Sequence, residues 1–94
     1  MARFITRVEL HAADDDDYEK LHSAMEMEGF ERTITSDEGV IYHLPTAEYY
    51  REIALTRQDV LDAAKRAATK NRKNFGAIVT ESNGITWSSL NKAK

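Results

Sequence analysis

The sequence predicts a single α+β domain of the order β-α-β-β-α-β, the ferredoxin-like arrangement, with an additional C-terminal strand and two helices on one face of an antiparallel or mixed sheet. Three observations carry that expectation. Phe30 to Pro45 reads as two short strands around a tight turn: β-branched Thr33, Ile34 and Thr35 precede Asp37-Glu38-Gly39, and Val40, Ile41 and Tyr42 follow it, with Gly39 as the positive-φ residue. Strand-then-helix patterning precedes this hairpin, and helix-then-strand patterning follows it. Asn83-Gly84, between two further apolar runs, is the strongest short hairpin signal in the chain.

Arg3 to Leu10 alternates, with Phe4, Thr6, Val8 and Leu10 on one face and Arg3, Ile5, Arg7 and Glu9 on the other. This predicts a strand buried on one side, whose arginines cross the open face of the sheet either in solvent or at a dimer contact, or else against phosphate. Helix one is expected from Asp14 or Asp15 to Glu28, because Tyr18, Leu21, Met25 and Glu28 keep helical spacing with Ala24 beside them, and Gly29 ends it. His22 sits beside that stripe and reads as a rim residue. Asp14 to Asp17 place negative charge on the positive end of the helix dipole, where one Asp suffices as cap. Consecutive helical residues fan by about 100°, so these carboxylates do not converge on one ion and no metal site is predicted.

Thr46 to Leu55 reads as a long connection, whose Tyr49, Tyr50 and Arg51 either pack beneath it or stack on bases. Helix two opens on the capping-box spacing of Thr56 and Asp59, with Leu55 and Val60 as hydrophobic staple. Val60, Leu61, Ala64, Ala67 and Ala68 form its buried stripe. From Lys65 to Lys73 the chain carries Lys65, Arg66, Lys70, Arg72 and Lys73 with no acid. Basic residues complement a helix C-terminus, while Arg72 and Lys73 beyond it suit an anion or RNA. Phe75 to Ser82 and Ile85 to Leu90 are the last strands. Trp87 on so short a terminal strand would be poorly covered, which predicts a homodimer through that region, and Lys92 to Lys94 read as a frayed basic tail.

Composition bounds the possibilities. Ninety-four residues at 41% hydrophobic content give one domain spanning 1–94, and the net charge of -3 supplies no overall basic field for a nucleic acid. Without cysteine there are no disulfides, thiolate nucleophiles or cysteine-based zinc sites. No apolar run approaches the roughly 18 residues of a membrane span, and MARFITRVEL lacks a signal-peptide core, so a cytoplasmic protein is expected. There is no Gly-rich phosphate loop or nucleophile motif, and no cofactor is predicted.

The segments EGFERTITSDEGVIYHLPTAEY and LTRQDVLDAAKRAA resemble the small bacterial GhoS family, which includes the antitoxin of a type V toxin-antitoxin pair, an endoribonuclease that cuts the toxin's messenger RNA. The likeness runs from the first helix through the second and is clearest at Gly29-Phe30, at the Asp37 to Gly39 turn and at the start of helix two. It implies an RNA-binding protein or endoribonuclease, with an antitoxin acting on a toxin's messenger RNA as one form of that role, working as a homodimer on single-stranded RNA. The family is similar in fold to CRISPR-associated dimers of ferredoxin-like domains, whose nucleolytic members carry a metal-binding aspartate at the end of the first strand. Here that place reads Val8-Glu9-Leu10-His11.

Metal-free RNA cleavage needs a base for the 2′-hydroxyl, an acid for the leaving oxygen and a cation at the phosphorane. His11 and His43 are the acid-base candidates, since an unperturbed imidazole titrates near pH ~6.5, with Arg32 as the catalytic cation. Arg7, Tyr49, Tyr50, Arg51, Arg72 and Lys73 are the RNA-contact candidates. If strands one and three are central neighbours, His11 and His43 lie at one end of the sheet. The competing reading is a non-enzymatic protein-binding or regulatory module on the same fold, favoured by the net negative charge and the missing aspartate.

Overall fold

The computed structural model describes residues 1–71 and 74–93; two of the RNA-contact candidates, Arg72 and Lys73, lie outside the described residues, as does Lys94. The element order is β1 (Ala2–Leu10), α1 (Asp15–Met27), β2 (Thr33–Thr35), β3 (Ile41–His43), β4 (Glu48–Ile53), α2 (Arg57–Thr69) and β5 (Phe75–Ser82). None of the described helices is long and apolar enough to cross a membrane.

The alternation read in β1 makes it the middle strand of an antiparallel sheet ordered β4-β1-β5. Phe4, Thr6, Val8 and Leu10 are buried beneath the helices, while Arg3, Ile5, Arg7 and Glu9 occupy the opposite face. β2 and β3 form a separate hairpin in the register Ile34↔Tyr42. Its turn is the expected one: Ser36 N–H donates to Val40 O at 2.8 Å and Gly39 has φ 85°. The hairpin joins the main sheet at one bridge, where Glu31 N–H donates to Tyr50 O at 2.8 Å and Tyr50 N–H donates to Glu31 O at 2.7 Å.

Two expectations change. The connection from Thr46 to Leu55 contains a strand, β4, so the neighbours of β1 are β4 and β5 rather than β3. Aromatic Tyr49 and Tyr50 suit a pleated surface. The register sends Tyr49, Arg51 and Ile53 to the helix side and Glu48, Tyr50 and Glu52 to the other. Ile85 to Leu90 does not form a strand. After Asn83-Gly84 the chain crosses to the hairpin, where His43 N–H donates to Asn91 O and Ala93 N–H donates to Ile41 O, each at 2.8 Å. Lys92 and Ala93 are therefore held by β3 instead of fraying. Trp87 is half-buried with its ring edge-on to Tyr42, centroids 5.5 Å apart, so it finds cover within its own chain and the reason for a dimer through that segment falls away.

Helix boundaries follow the caps read from the sequence. Asp14 is the N-cap of α1: Asp17 N–H donates to Asp14 Oδ1 at 2.9 Å and Asp14 N–H donates to Asp17 Oδ2 at 3.1 Å. Thr56 and Asp59 form the same reciprocal pair at α2. α1 ends in a Schellman motif, with Phe30 N–H donating to Met25 O and Gly29 N–H donating to Glu26 O, both at 3.0 Å, and Gly29 at φ 94°. A Cβ on Gly29 would stand 3.0 Å from Arg51 Nη2. Gly29→Ala is therefore expected to cost about 1–2 kcal/mol, read as a lower urea midpoint at unchanged m-value.

Ala63, Ala64, Ala67 and Ala68, all buried, let α2 lie close over β1 and β5 and against α1. The helices are also joined by Arg66 Nη2 to Glu28 Oε1 at 3.0 Å, a surface pair that adds little to stability.

Candidate functional site: an aromatic cleft beside the sheet

The face of the sheet turned away from the helices carries Arg3, Ile5, Arg7 and Glu9 from β1 and Glu48, Tyr50 and Glu52 from β4. Register places Arg3 directly across from Glu52 and Arg7 directly across from Glu48. Opposite charges facing each other across a strand pair stabilise the sheet and cancel its field. This face is balanced rather than basic.

At its β4 side the face runs into a cleft of about 300 Å³, bounded by Arg3 and Tyr50 from the sheet, Ile34 to Glu38 and Tyr42 from the hairpin, and Ile85 to Trp87 from the crossing segment. That volume is at the small end for a ligand site. A hollow beside it shares Arg3, Ile34, Thr35 and Tyr50 and continues past Glu31, Arg51 and Glu52. Each wall has a local cause. The hairpin is tied to the β4 edge of the sheet by the Glu31–Tyr50 bridge, and the crossing segment is held to β1 where Arg3 Nη2 donates to Asn83 O at 3.1 Å.

Three aromatic rings, Tyr42, Tyr50 and Trp87, line this one cleft together with the Arg3 guanidinium. The Tyr50 hydroxyl is 3.4 Å from Glu52 Oε1, a weak contact in which it donates; burial first, then the Glu52 charge, raise its pKa and keep it a donor. Asp37 and Glu38 add carboxylates. The cleft can hold a flat ring by stacking and orient it by hydrogen bonds. Among the described residues no histidine lines it; its titratable side chains are Asp37, Glu38, Tyr42 and Tyr50, with Arg3.

The sequence-predicted residues divide. Tyr50 lines the cleft. Tyr49 does not: it is fully buried in the core, which leaves it no face for a base. Arg51 packs its guanidinium 5.5 Å from the centroid of the Phe30 ring, across Gly29. Arg7 is exposed on the balanced face opposite Glu48. Arg32 is exposed, and its carbonyl accepts Leu44 N–H at 2.8 Å. His11 is exposed beyond β1, its Nε2 3.8 Å from Glu9 Oε1, and His43 is exposed on β3, paired with Thr33. Because β3 pairs with β2 and not with β1, the neighbour relation expected to join His11 and His43 is not formed. Among the described residues no cluster of His, Asp or Glu is arranged to hold a metal ion.

His22, expected at a rim, is buried at 4% exposure with Nδ1 2.6 Å from the Tyr49 hydroxyl. Burial is the largest cause lowering the His22 pKa, with Arg32 next, and burial likewise raises that of Tyr49. The phenol therefore keeps its proton and shares this hydrogen bond with a neutral imidazole. Arg3, Tyr42 and Trp87 were missed as a constellation. The signal was modest, since only the crossing of the C-terminal segment brings Trp87 to Tyr42. No protein-family model and no curated protein matches the chain.

Proposed function

We propose that this chain is a GhoS-like protein that binds single-stranded RNA, seating a base among Tyr42, Tyr50 and Trp87 with Arg3 beside it. The observation that carries the reading is the meeting of three aromatic rings and a guanidinium in one open cleft. The resemblance adds to it, because Ile34 to Glu38 and Tyr42 belong to the stretch that is similar to that family. A ferredoxin-like reading of the sheet is supported by the Glu31–Tyr50 bridge: with it the order runs β5, β1, β4 and then the segment at Glu31, and the β2–β3 hairpin extends that fourth strand outward. The cleft is assigned binding, and His11, His43 and Arg32 are the groups to vary if cleavage accompanies it.

Labelled single-stranded RNA, titrated with protein at about 50 and about 200 mM salt with and without EDTA, tests the reading. Binding that weakens with salt is expected. Trp87→Ala and Tyr50→Ala each lower the affinity roughly tenfold, the scale of one lost base stack. Absence of binding at both salt concentrations overturns the proposal.

A second reading, a non-enzymatic protein-binding module, is favoured by the acids. Asp37, Glu38, Glu31 and Glu52 outnumber Arg3 and Arg51 along the cleft and its adjoining hollow. An extended segment with basic side chains would suit that groove and the β4 edge beyond Tyr50. Recovery of a stable protein partner together with absent RNA binding supports this reading over the first.

A further inference from the structure

Among the described residues the outer edge of β5 carries no further strand. β5 is an edge strand in the order β4-β1-β5, runs for eight residues as Phe75–Ser82, and has no proline, lysine or arginine to block a further strand. Val8 N–H donates to Ala47 O beside β4 and His11 N–H donates to Asn74 O beside β5, so the odd-numbered residues of β1 face β5. With Arg7 opposite Ile78 and Ile5 opposite Thr80, the N–H and C=O groups of Ile78 and Thr80 turn inward and those of Ala77, Val79 and Glu81 turn outward. On the face away from the helices, at the middle of this strand, Ile78 is 64% exposed, leaving a large aliphatic side chain beside the open edge.

We propose that two copies of this chain associate by antiparallel pairing of β5 with β5 about a two-fold axis at Ile78. The proposal is independent of the RNA reading. With Ile78 opposite Ile78 of the other copy, Ala77 falls opposite Val79 and Phe75 opposite Glu81, so the outward backbone groups meet in hydrogen-bonded pairs. The axis pair is then a close, non-hydrogen-bonded one. Both copies keep their helices on the same face, as the shared parity of paired residues requires. Charge fits self-pairing: Glu81, the one charged residue of the strand, meets Phe75 and never its own copy. The two Arg7 side chains, one strand further out on each side, are three strand spacings apart, about 14 Å, and are screened. Gly76 stands opposite Thr80 and offers no side chain to crowd it. The pairing covers the exposed Ile78 with its own copy, an isologous contact.

The test uses the full chain, which contains no cysteine. Sedimentation at about 100 µM is expected to give twice the 10.7 kDa chain mass. Ile78→Lys, which opposes two ammonium groups on the axis and removes the aliphatic contact, weakens association by about tenfold or more. Ile78→Cys forms a disulfide-linked dimer on mild oxidation, since axis Cα atoms about 4.5 Å apart can be bridged. Thr80→Cys does not, because its counterpart lies about 14 Å away along the strand. The proposal is overturned if the unaltered protein sediments at the chain mass, or if Ile78→Cys cross-links no faster than Thr80→Cys.

Discussion

Tyr49→Ala is expected to lower the free energy of unfolding by about 3–5 kcal/mol, a large share of the roughly 5–15 kcal/mol available to a domain of this size. The ring lies fully buried between the sheet and α1, edge-on to Phe30 at 6.3 Å and tilted to His22 at 5.8 Å. Its removal opens a cavity at the centre of the molecule and strands the imidazole. Tyr49→Phe separates these two effects, because it keeps the volume and deletes only the hydroxyl that is hydrogen-bonded to His22 Nδ1 at 2.6 Å. That leaves a buried ring nitrogen unsatisfied, at about 1–3 kcal/mol. Urea denaturation of both variants checks the order: alanine worse than phenylalanine, phenylalanine clearly worse than the parent. A neutral Tyr49→Phe would mean that the hydroxyl and imidazole do not depend on each other.

Stability is expected to fall on mild acidification, through His22. Its folded-state pKa lies below the ordinary value of 6.5, chiefly because burial disfavours the imidazolium and secondarily because Arg32 repels it. The unfolded chain therefore takes up a proton at a pH where the folded chain does not. The stabilisation is fully present above the unfolded value, declines as pH drops below it, and stops declining once pH passes beneath the folded value. One such group gives a slope of at most about 1.4 kcal/mol per pH unit. Unfolding measured from neutral pH downward should show this slope in the parent and lose it in His22→Gln. Glu28, held below the usual carboxylate range by its hydrogen bond to Arg66, acts only at lower pH, below its ordinary 4.5. A slope that persists in His22→Gln would place its origin elsewhere.

What the sequence revealed and what it hid follow one physical division. Caps and alternation are local, so Asp14, Thr56 with Asp59, Gly29 and the buried side of β1 could be read directly and are found in place. Tyr49-Tyr50-Arg51 also alternates, but the adjacent hairpin already supplies the two strands that the pattern requires, so from sequence β4 reads as a connection. The error spread to His22, whose partner is on β4 and 27 residues away. Asn83-Gly84 misled for the opposite reason. A turn signal fixes a change of direction, not the strand that follows, and the segment after it gains more from β3 and Tyr42 than from β5. The cleft was hidden because Arg3, Tyr50 and Trp87 meet only through these long-range choices.

Trp87 is the sole tryptophan and lines the cleft, so its fluorescence reports on that place alone. Titrating the protein with a short single-stranded oligoribonucleotide should quench the emission in a saturable manner, with a midpoint that moves to higher RNA concentration as salt rises. Unchanged emission while RNA binds by an independent measurement would put the RNA elsewhere on the molecule and contradict the assignment of the cleft.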